Sequence, residues 1–170
     1  MIFNRIKRRW LRKELRKIQN EQERPVIKWP QSLIVLYDAQ QVTDLNFFYK
    51  WAQDLNIKKD AVTLVAYVAD KKKSTIKEAH LIDRRLIKWS GGITDIEIKE
   101  MIKKKYDLQV NFFNDQNDFL EYISLALPSA FKVAYGSDKE SLFDLSISVS
   151  LNDYNGFIQE LKKYLKILTQ

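Results

Sequence analysis

The chain contains no cysteine. That absence removes disulfides, thiolate metal sites, iron–sulfur clusters and cysteine nucleophiles together, and it suits a reducing cytoplasm. Glycine and proline are scarce, at four and three residues in 170. Phosphate-cradling loops need clustered glycines so that the backbone can approach closely. The single adjacent pair is Gly91–Gly92, so the glycine-rich dinucleotide fingerprint and the phosphate loop of nucleoside triphosphatases are both missing. One histidine, His80, excludes multi-histidine metal sites and paired-histidine chemistry. It can still act as a lone acid or base near Asp83, although a solitary histidine without a nucleophile is more often a surface residue.

Long apolar runs are missing too. No stretch approaches the roughly 18 residues that a membrane-spanning helix needs. Lys and Arg interrupt the first 20 residues too often for a secretory signal, and no serine precedes Ser32, unlike a transit peptide. The expectation is a cytoplasmic protein, either soluble or peripheral at the inner membrane.

What is present is an uneven distribution of charge. Residues 1–18 hold eight basic side chains against the single acid Glu14, a sum of +7, which equals the charge of the whole chain. Residues 19–170 therefore cancel, with 21 basic and 21 acidic side chains. The pI of 9.4 describes a neutral body with a cationic head. Such asymmetry points to a polyanionic surface. At 100° per residue, Arg5, Arg8, Arg9, Arg12 and Arg16 share an arc of about 100°. Ile2, Phe3, Ile6, Trp10, Leu11, Leu15 and Ile18 occupy the other side, interrupted by lysines whose stems can lie along apolar surface. A helix of this kind can rest in a membrane interface with Trp10 at headgroup depth. Arginine forks also suit nucleic-acid phosphates, and the apolar arc also suits docking on the chain's own body or on a partner.

The periodicity divides the chain into a basic amphipathic helix over 1–24, a proline-bounded linker over 25–31 and one α/β domain over 32–170. Apolar runs predict strands at 33–37, 62–68, 108–113, 131–135 and 142–149. Helical spacing predicts helices at 44–56, from 94 and from 115, and a final helix opening at Asn152 or Asp153. Residues 77–83 hold a further short element. Thr94 and Glu97 have the spacing of a capping box, and Asp115 stands as the cap of the next helix. Alternating strands and helices imply a three-layer domain with a mainly parallel five-stranded sheet and helices on both faces. The close pair at 131–135 and 142–149 predicts an antiparallel edge hairpin. Tyr106-Asp107-Leu108 and Phe143-Asp144-Leu145 echo one another as a repeated strand-opening device.

In open α/β sheets, ligands bind beyond the carboxyl ends of the strands. Asp38, Asp70 and the pair Asn114–Asp115 stand at such ends, and would share one crevice if their strands are neighbours. Asp and Asn also favour turns and caps, which accounts for them without a ligand. Gly91 and Gly92, just ahead of a helix, fit either an anion-binding turn or a plain tight turn. No residue qualifies as catalytic or metal-ligating, and no cofactor is implied.

The basic opening, Trp89-Ser90-Gly91 before a helix, Tyr106-Asp107-Leu108, Phe131-Lys132-Val133 and the closing Tyr164-Leu165-Lys166-Ile167-Leu168 resemble an uncharacterised domain family of about 170-residue proteins from Bacteroidetes. The resemblance spans the chain and implies a bacterial protein with no established activity. The leading expectation is a non-catalytic protein docked through residues 1–18, by Arg5, Arg8, Arg9, Trp10, Arg12 and Arg16, to an anionic membrane surface or a partner. The first alternative is an RNA- or ribosome-associated factor using the same arginines. The second is a small-molecule-binding or hydrolytic enzyme with its site at Asp38, Asp70, Asp115, Gly91 and Gly92.

Overall fold

The computed structural model describes residues 27–88, 92–114, 117–136, 143–150 and 152–170. The expected amino-terminal helix lies outside the described residues. The first half of the domain runs β1 (Leu33–Asp38), α1 (Asn46–Asp54), β2 (Val62–Tyr67), β3 (His80–Ile82) and α2 (Ile96–Lys103). The second half runs β4 (Tyr106–Phe112), α3 (Asp118–Ala126), β5 (Ser129–Tyr135), β6 (Leu145–Ile147) and α4 (Tyr154–Leu168). Among the described residues these strands form one six-stranded sheet in the order β3-β2-β1-β4-β5-β6, with every neighbouring pair parallel.

A parallel sheet needs cover on both faces, and the strands accordingly read as continuous apolar runs. Leu33, Val35 and Tyr37 of β1 point to one face, where α1 and α4 supply Phe48, Trp51, Phe157 and Leu161. Ile34 and Leu36 point to the other, against Ile98 and Met101 of α2 and Leu120 and Ile123 of α3. On the first face Phe112 is the hub. Six aromatic rings, those of Phe47, Phe48, Trp51, Tyr135, Tyr154 and Phe157, have centroids 5.0 to 6.2 Å from its own. Ile27 and Trp29 pack on the same face, and Trp29 Nε1 donates to the carbonyl of Leu55 at 2.9 Å. The chain's approach to β1 is thereby pinned to the end of α1.

Three expectations are corrected. The sheet has six strands rather than five, because the short element near 77–83 is the edge strand β3. The hairpin is absent: β5 and β6 run parallel, with Val133 opposite Leu145 and Tyr135 opposite Ile147. Parallel crossovers usually take a dozen or more residues, which made a short link look like a hairpin. Here β6 is three residues long and faces only the last part of β5. The start of β6 lies only about 10 Å from the end of β5, a distance that a nine-residue link can span without a helix. The helix caps also differ. Asp95, not Thr94, caps α2 by accepting from the Glu97 and Ile98 amides, while Thr94 Oγ1 donates to the carbonyls of Arg85 and Leu86. Asn117 caps α3 by accepting from the Leu120 amide, and Asp115 lies outside the described residues.

The two strand-opening aspartates do the same work. Asp107 Oδ2 accepts from the Gln31 and Ser32 amides at the start of β1, and Asp144 Oδ2 accepts from the Lys132 amide of β5. Each tethers its strand to a neighbour.

Beneath α3 the second face is polar. Gln109 Nε2 donates to Asn111 Oδ1 and to Ser124, Gln109 Oε1 accepts from Ser129 Oγ, and Asn111 Nδ2 donates to the Val133 carbonyl. Lys132, 5% exposed, points its ammonium at the carbonyls of Ser124 and Leu125, 3.1 and 3.4 Å away. These belong to the last turn of α3, the negative end of the helix dipole. Burial lowers the Lys132 pKa to about 8, against the opposing pull of Asp144.

In the unfolded chain a lysine titrates near 10.4, so the folded state gives up this proton more readily. Lys132 therefore weakens folding below pH 8, and the penalty fades as pH rises from about 8 to about 10.5. The stability of the parent relative to Lys132→Met, from urea denaturation, is expected to climb by about 3 kcal/mol over that interval. A flat difference would show that the ammonium is not desolvated.

Candidate functional site

From β1 the sheet grows through β2 and β3 to one side and through β4, β5 and β6 to the other. The order reverses between β1 and β4, and the crevice outside the carboxyl ends at such a reversal is where open α/β sheets take ligands. Asp38 closes β1 at this point. Its Oδ1 accepts from the Gln40 amide at 2.9 Å and its Oδ2 from Asn117 Nδ2 at 3.2 Å. Because Asn117 Oδ1 is committed to capping α3, its amide group is left aimed at Asp38. Tyr67 closes β2 alongside, its ring stacked on Phe119 of α3 at 5.8 Å. Burial, then the negative charges of Asp38 and Asp83, push its phenol above the usual range, with Arg84 opposing. Tyr67 thus stands between two carboxylates on the same edge.

Beyond it, after β2 and β3, lies a cluster of ion pairs. Asp83 is 4% exposed and receives the Arg85 guanidinium through Nε and Nη2. The Lys71 and Arg85 amides also donate to it, at 3.0 and 2.8 Å. Arg85 Nη2 reaches on to Asp70 Oδ1 at 2.7 Å, and Lys71 Nζ pairs with Asp95 at 2.6 Å. Burial works to raise the Asp83 pKa, but the Arg85 side chain and the two amides outweigh it and hold the carboxyl at about 2. The Lys72 amide, then Arg85, keep Asp70 below its ordinary value. Beside the cluster opens a cavity of about 500 Å³, floored by Leu81, Ile82 and Leu86 and edged by Lys72 and Thr94. That volume suits a small organic ligand.

The expected site residues are distributed along this edge. Asp38 and Asp70 follow adjacent strands, but Asp38 turns to Asn117 and Asp70 to Arg85. Among the described residues, no three His, Asp or Glu side chains gather closely enough to hold a metal ion. Gly91 and Asp115 lie outside the described residues. Gly92 has φ +84°, in a tight turn where Ile87 bridges Ile93 and the Lys88 amide donates to the Gly92 carbonyl at 3.0 Å. A side chain there would be strained, so the turn itself requires glycine. The α2 amides that an anion would take already serve the Asp95 carboxylate. His80 faces Glu97 at 3.6 Å, while Asp83 is engaged by Arg85.

Sequence reasoning missed Asp83, Arg85, Lys71, Asp95, Tyr67 and Asn117 as one assembly. The Asp83-Arg84-Arg85 string behind a short strand was the available signal, but it became informative only once that strand had a place beside β2.

A family model, described as a family of unknown function (DUF6913), matches residues 4–168. The chain belongs to that family. No curated protein and no solved structure matches it.

The Asp83 cluster fixes the β2 and β3 ends, and its contribution depends on pH. The carboxyl titrates lower in the folded chain than near 3.9 in the unfolded one. Its stabilisation is therefore complete above about pH 4 and drains away as pH falls toward 2. Asp83→Asn is expected to cost about 1–2 kcal/mol at pH 7, the exposed Arg85 partner keeping it at the low end. In acid titrations followed by circular dichroism the difference between variant and parent should shrink from about pH 4 and close as pH falls to about 2. A cost that persists undiminished there would mean that packing, not charge, carries the effect.

Proposed function

We propose that this member of DUF6913 is an α/β binding protein docked through its cationic amino-terminal segment to an anionic membrane surface. The observation that carries this reading is the segregation of charge: the full +7 resides in residues 1–18, ahead of an electrically balanced body. Each basic residue near an anionic leaflet contributes about 1 kcal/mol, so a subset in reach at once suffices for reversible, salt-sensitive attachment. The apolar residues interleaved with the arginines favour an interface with a hydrocarbon boundary over bare phosphates. Trp29 supports the reading from the body, since its bond to Leu55 holds the segment's point of departure against the core. Among the described residues no helix is long and apolar enough to cross a membrane.

A second reading concerns the body. The reversal of strand order at Asp38, with a ligand-sized cavity farther along the same edge, favours a small-molecule site there. Asp38 would accept a donor from such a ligand, and the paired charges around Asp83 would hold the rim rigid.

Vesicle co-sedimentation tests the docking. The intact chain is expected to bind vesicles containing phosphatidylglycerol, to ignore neutral phosphatidylcholine vesicles, and to be released by about 0.5 M salt. Replacing Arg5, Arg8, Arg9, Arg12 and Arg16 by Gln should weaken binding at least about tenfold. If the intact chain stays in solution with both vesicles while shifting RNA, the reading is wrong. For the body, a panel of small metabolites should contain one that raises the melting temperature of the parent and not of Asp38→Asn; a panel with no such compound defeats the second reading.

A further inference from the structure

The two helices on the first face run in the same direction. Phe47 of α1 stacks on Tyr154 of α4 at 3.7 Å, and one turn later Trp51 stacks on Phe157 at 5.0 Å and donates Nε1 to the Tyr154 carbonyl. Both helices start at the carboxyl edge of the sheet and run toward the amino edge. They differ in length, nine residues against fifteen. At 1.5 Å per residue α4 outreaches α1 by about 9 Å, a little under two turns. Over the overhang the core side of α4 stays covered at Leu165, and the flank beside it is open. Phe157, Ile158, Leu161 and Leu165 are buried, whereas Tyr164, Ile167 and Leu168 are 39%, 60% and 45% exposed. Spaced at i, i+3 and i+4, those three widen the apolar face beyond the part that meets the core.

The polar side of the overhang is cationic. Lys162, Lys163 and Lys166 lie there, and the helix carries one acid, Glu160, which sits 3.5 Å from Lys163. The bond from Trp29 to Leu55, at the end of α1, places the start of the described chain on this same face and edge.

We infer that the overhanging end of α4 is a second lipid contact, in which Tyr164, Ile167 and Leu168 enter an anionic interface and Lys162, Lys163 and Lys166 meet its headgroups. The inference rests on the docking reading given above and adds to it an orientation, with the amino edge toward the membrane and the strand-end crevice toward solvent. Charge decides the occupant. Residues 1–18 at +7 would be repelled by three lysines, and two α4 ends from separate copies would oppose the same lysines to one another. An anionic lipid surface complements both the apolar stripe and its flanks.

The test uses the full chain with vesicles of phosphatidylglycerol and phosphatidylcholine in equal parts, against phosphatidylcholine alone. Ile167→Asp with Leu168→Asp is one variant, and Lys162→Gln with Lys163→Gln and Lys166→Gln is the other. These side chains lie outside the core, and melting curves check that each variant folds. Both variants are expected to bind the anionic vesicles at least about tenfold more weakly than the parent. A fluorophore on Gln170→Cys, unique because the chain has no cysteine, should shift to the blue on anionic vesicles only. If the parent and the arginine variant differ as expected while both α4 variants bind like the parent, this inference fails and the docking reading stands. If the parent itself does not bind, both fail. Unchanged lipid binding with altered self-association in the aspartate variant would reassign the stripe to a dimer contact and overturn the inference.

Discussion

Leu33, Ile34, Val35, Leu36 and Tyr37 are each at most 1% exposed, so β1 is shielded on both faces and hydrogen-bonded along both edges. Burying those five side chains stabilises the fold by about 1.5–3 kcal/mol each, but only if the chain supplies cover to both faces. That requirement disposes the rest. The links from β1 to β2 and from β4 to β5 carry α1 and α3 on opposite faces, and α2 and α4 complete the two layers. The links from β2 to β3 and from β5 to β6 contain no described helix, and each leads to a strand of three residues. Short, scantily covered strands are tolerable at an edge, where one side of the ladder already faces water.

Polar groups are admitted to this interior under a consistent condition. Gln109, Asn111 and Ser124 are at most 1% exposed, and each is bonded to another member of the group or to backbone. An unpaired polar group in their place would cost about 1–3 kcal/mol, so the cluster is acceptable only when nearly complete. Lys132 is admitted by two carbonyls in the last turn of α3, that of Ser124, which it shares with Gln109, and that of Leu125. Tyr37 departs from the condition. Its buried hydroxyl finds no partner among the described residues, and burial, with the nearby Tyr49 and Glu78, raises its pKa well above the usual phenol range. Its ring is held by Phe48 and the rest of the aromatic layer, and that packing outweighs the stranded hydroxyl.

The class of fold was legible because long apolar runs alternated with helical stripes. Residues 33–37 and 62–67 could hardly be anything but covered strands, and Asp153 does cap the last helix. The failures share a cause. His80–Ile82 and Leu145–Ile147 are too short for periodicity, and their pairing depends on partners distant in the chain. Thr94 lost the capping role because the carbonyls of Arg85 and Leu86, brought close by the turn at Gly92, claimed its hydroxyl. The carboxyl edge was legible at Asp38, which ends β1, and at Asp70, which follows β2. Asp83 was opaque, since its meaning lies in Arg85, Lys71 and Asp70 reaching it across β2 and β3.

Topology also determines which edge can do what. In a parallel sheet, chain that precedes β1 must leave from the amino edge, whereas ligand crevices form at the carboxyl edge. The two are separated by the length of β1, six residues or about 20 Å. A helix that returns from the last strand begins at the carboxyl edge and ends at the amino edge, so α4 carries its exposed end toward the departure point of the cationic segment. The departure point of the cationic segment and the carboxylates at the strand ends are thus kept on opposite sides of one core. The separation matters electrostatically as well as sterically. At physiological ionic strength screening acts over about 8 Å, so a negative surface at one edge leaves the potential at Asp38 and Asp83 nearly unchanged. Any influence of docking on the crevice would therefore have to pass through packing, and the aromatic layer from Trp51 through Phe112 to Tyr135 is the contiguous structure that joins the two helices to the strand ends.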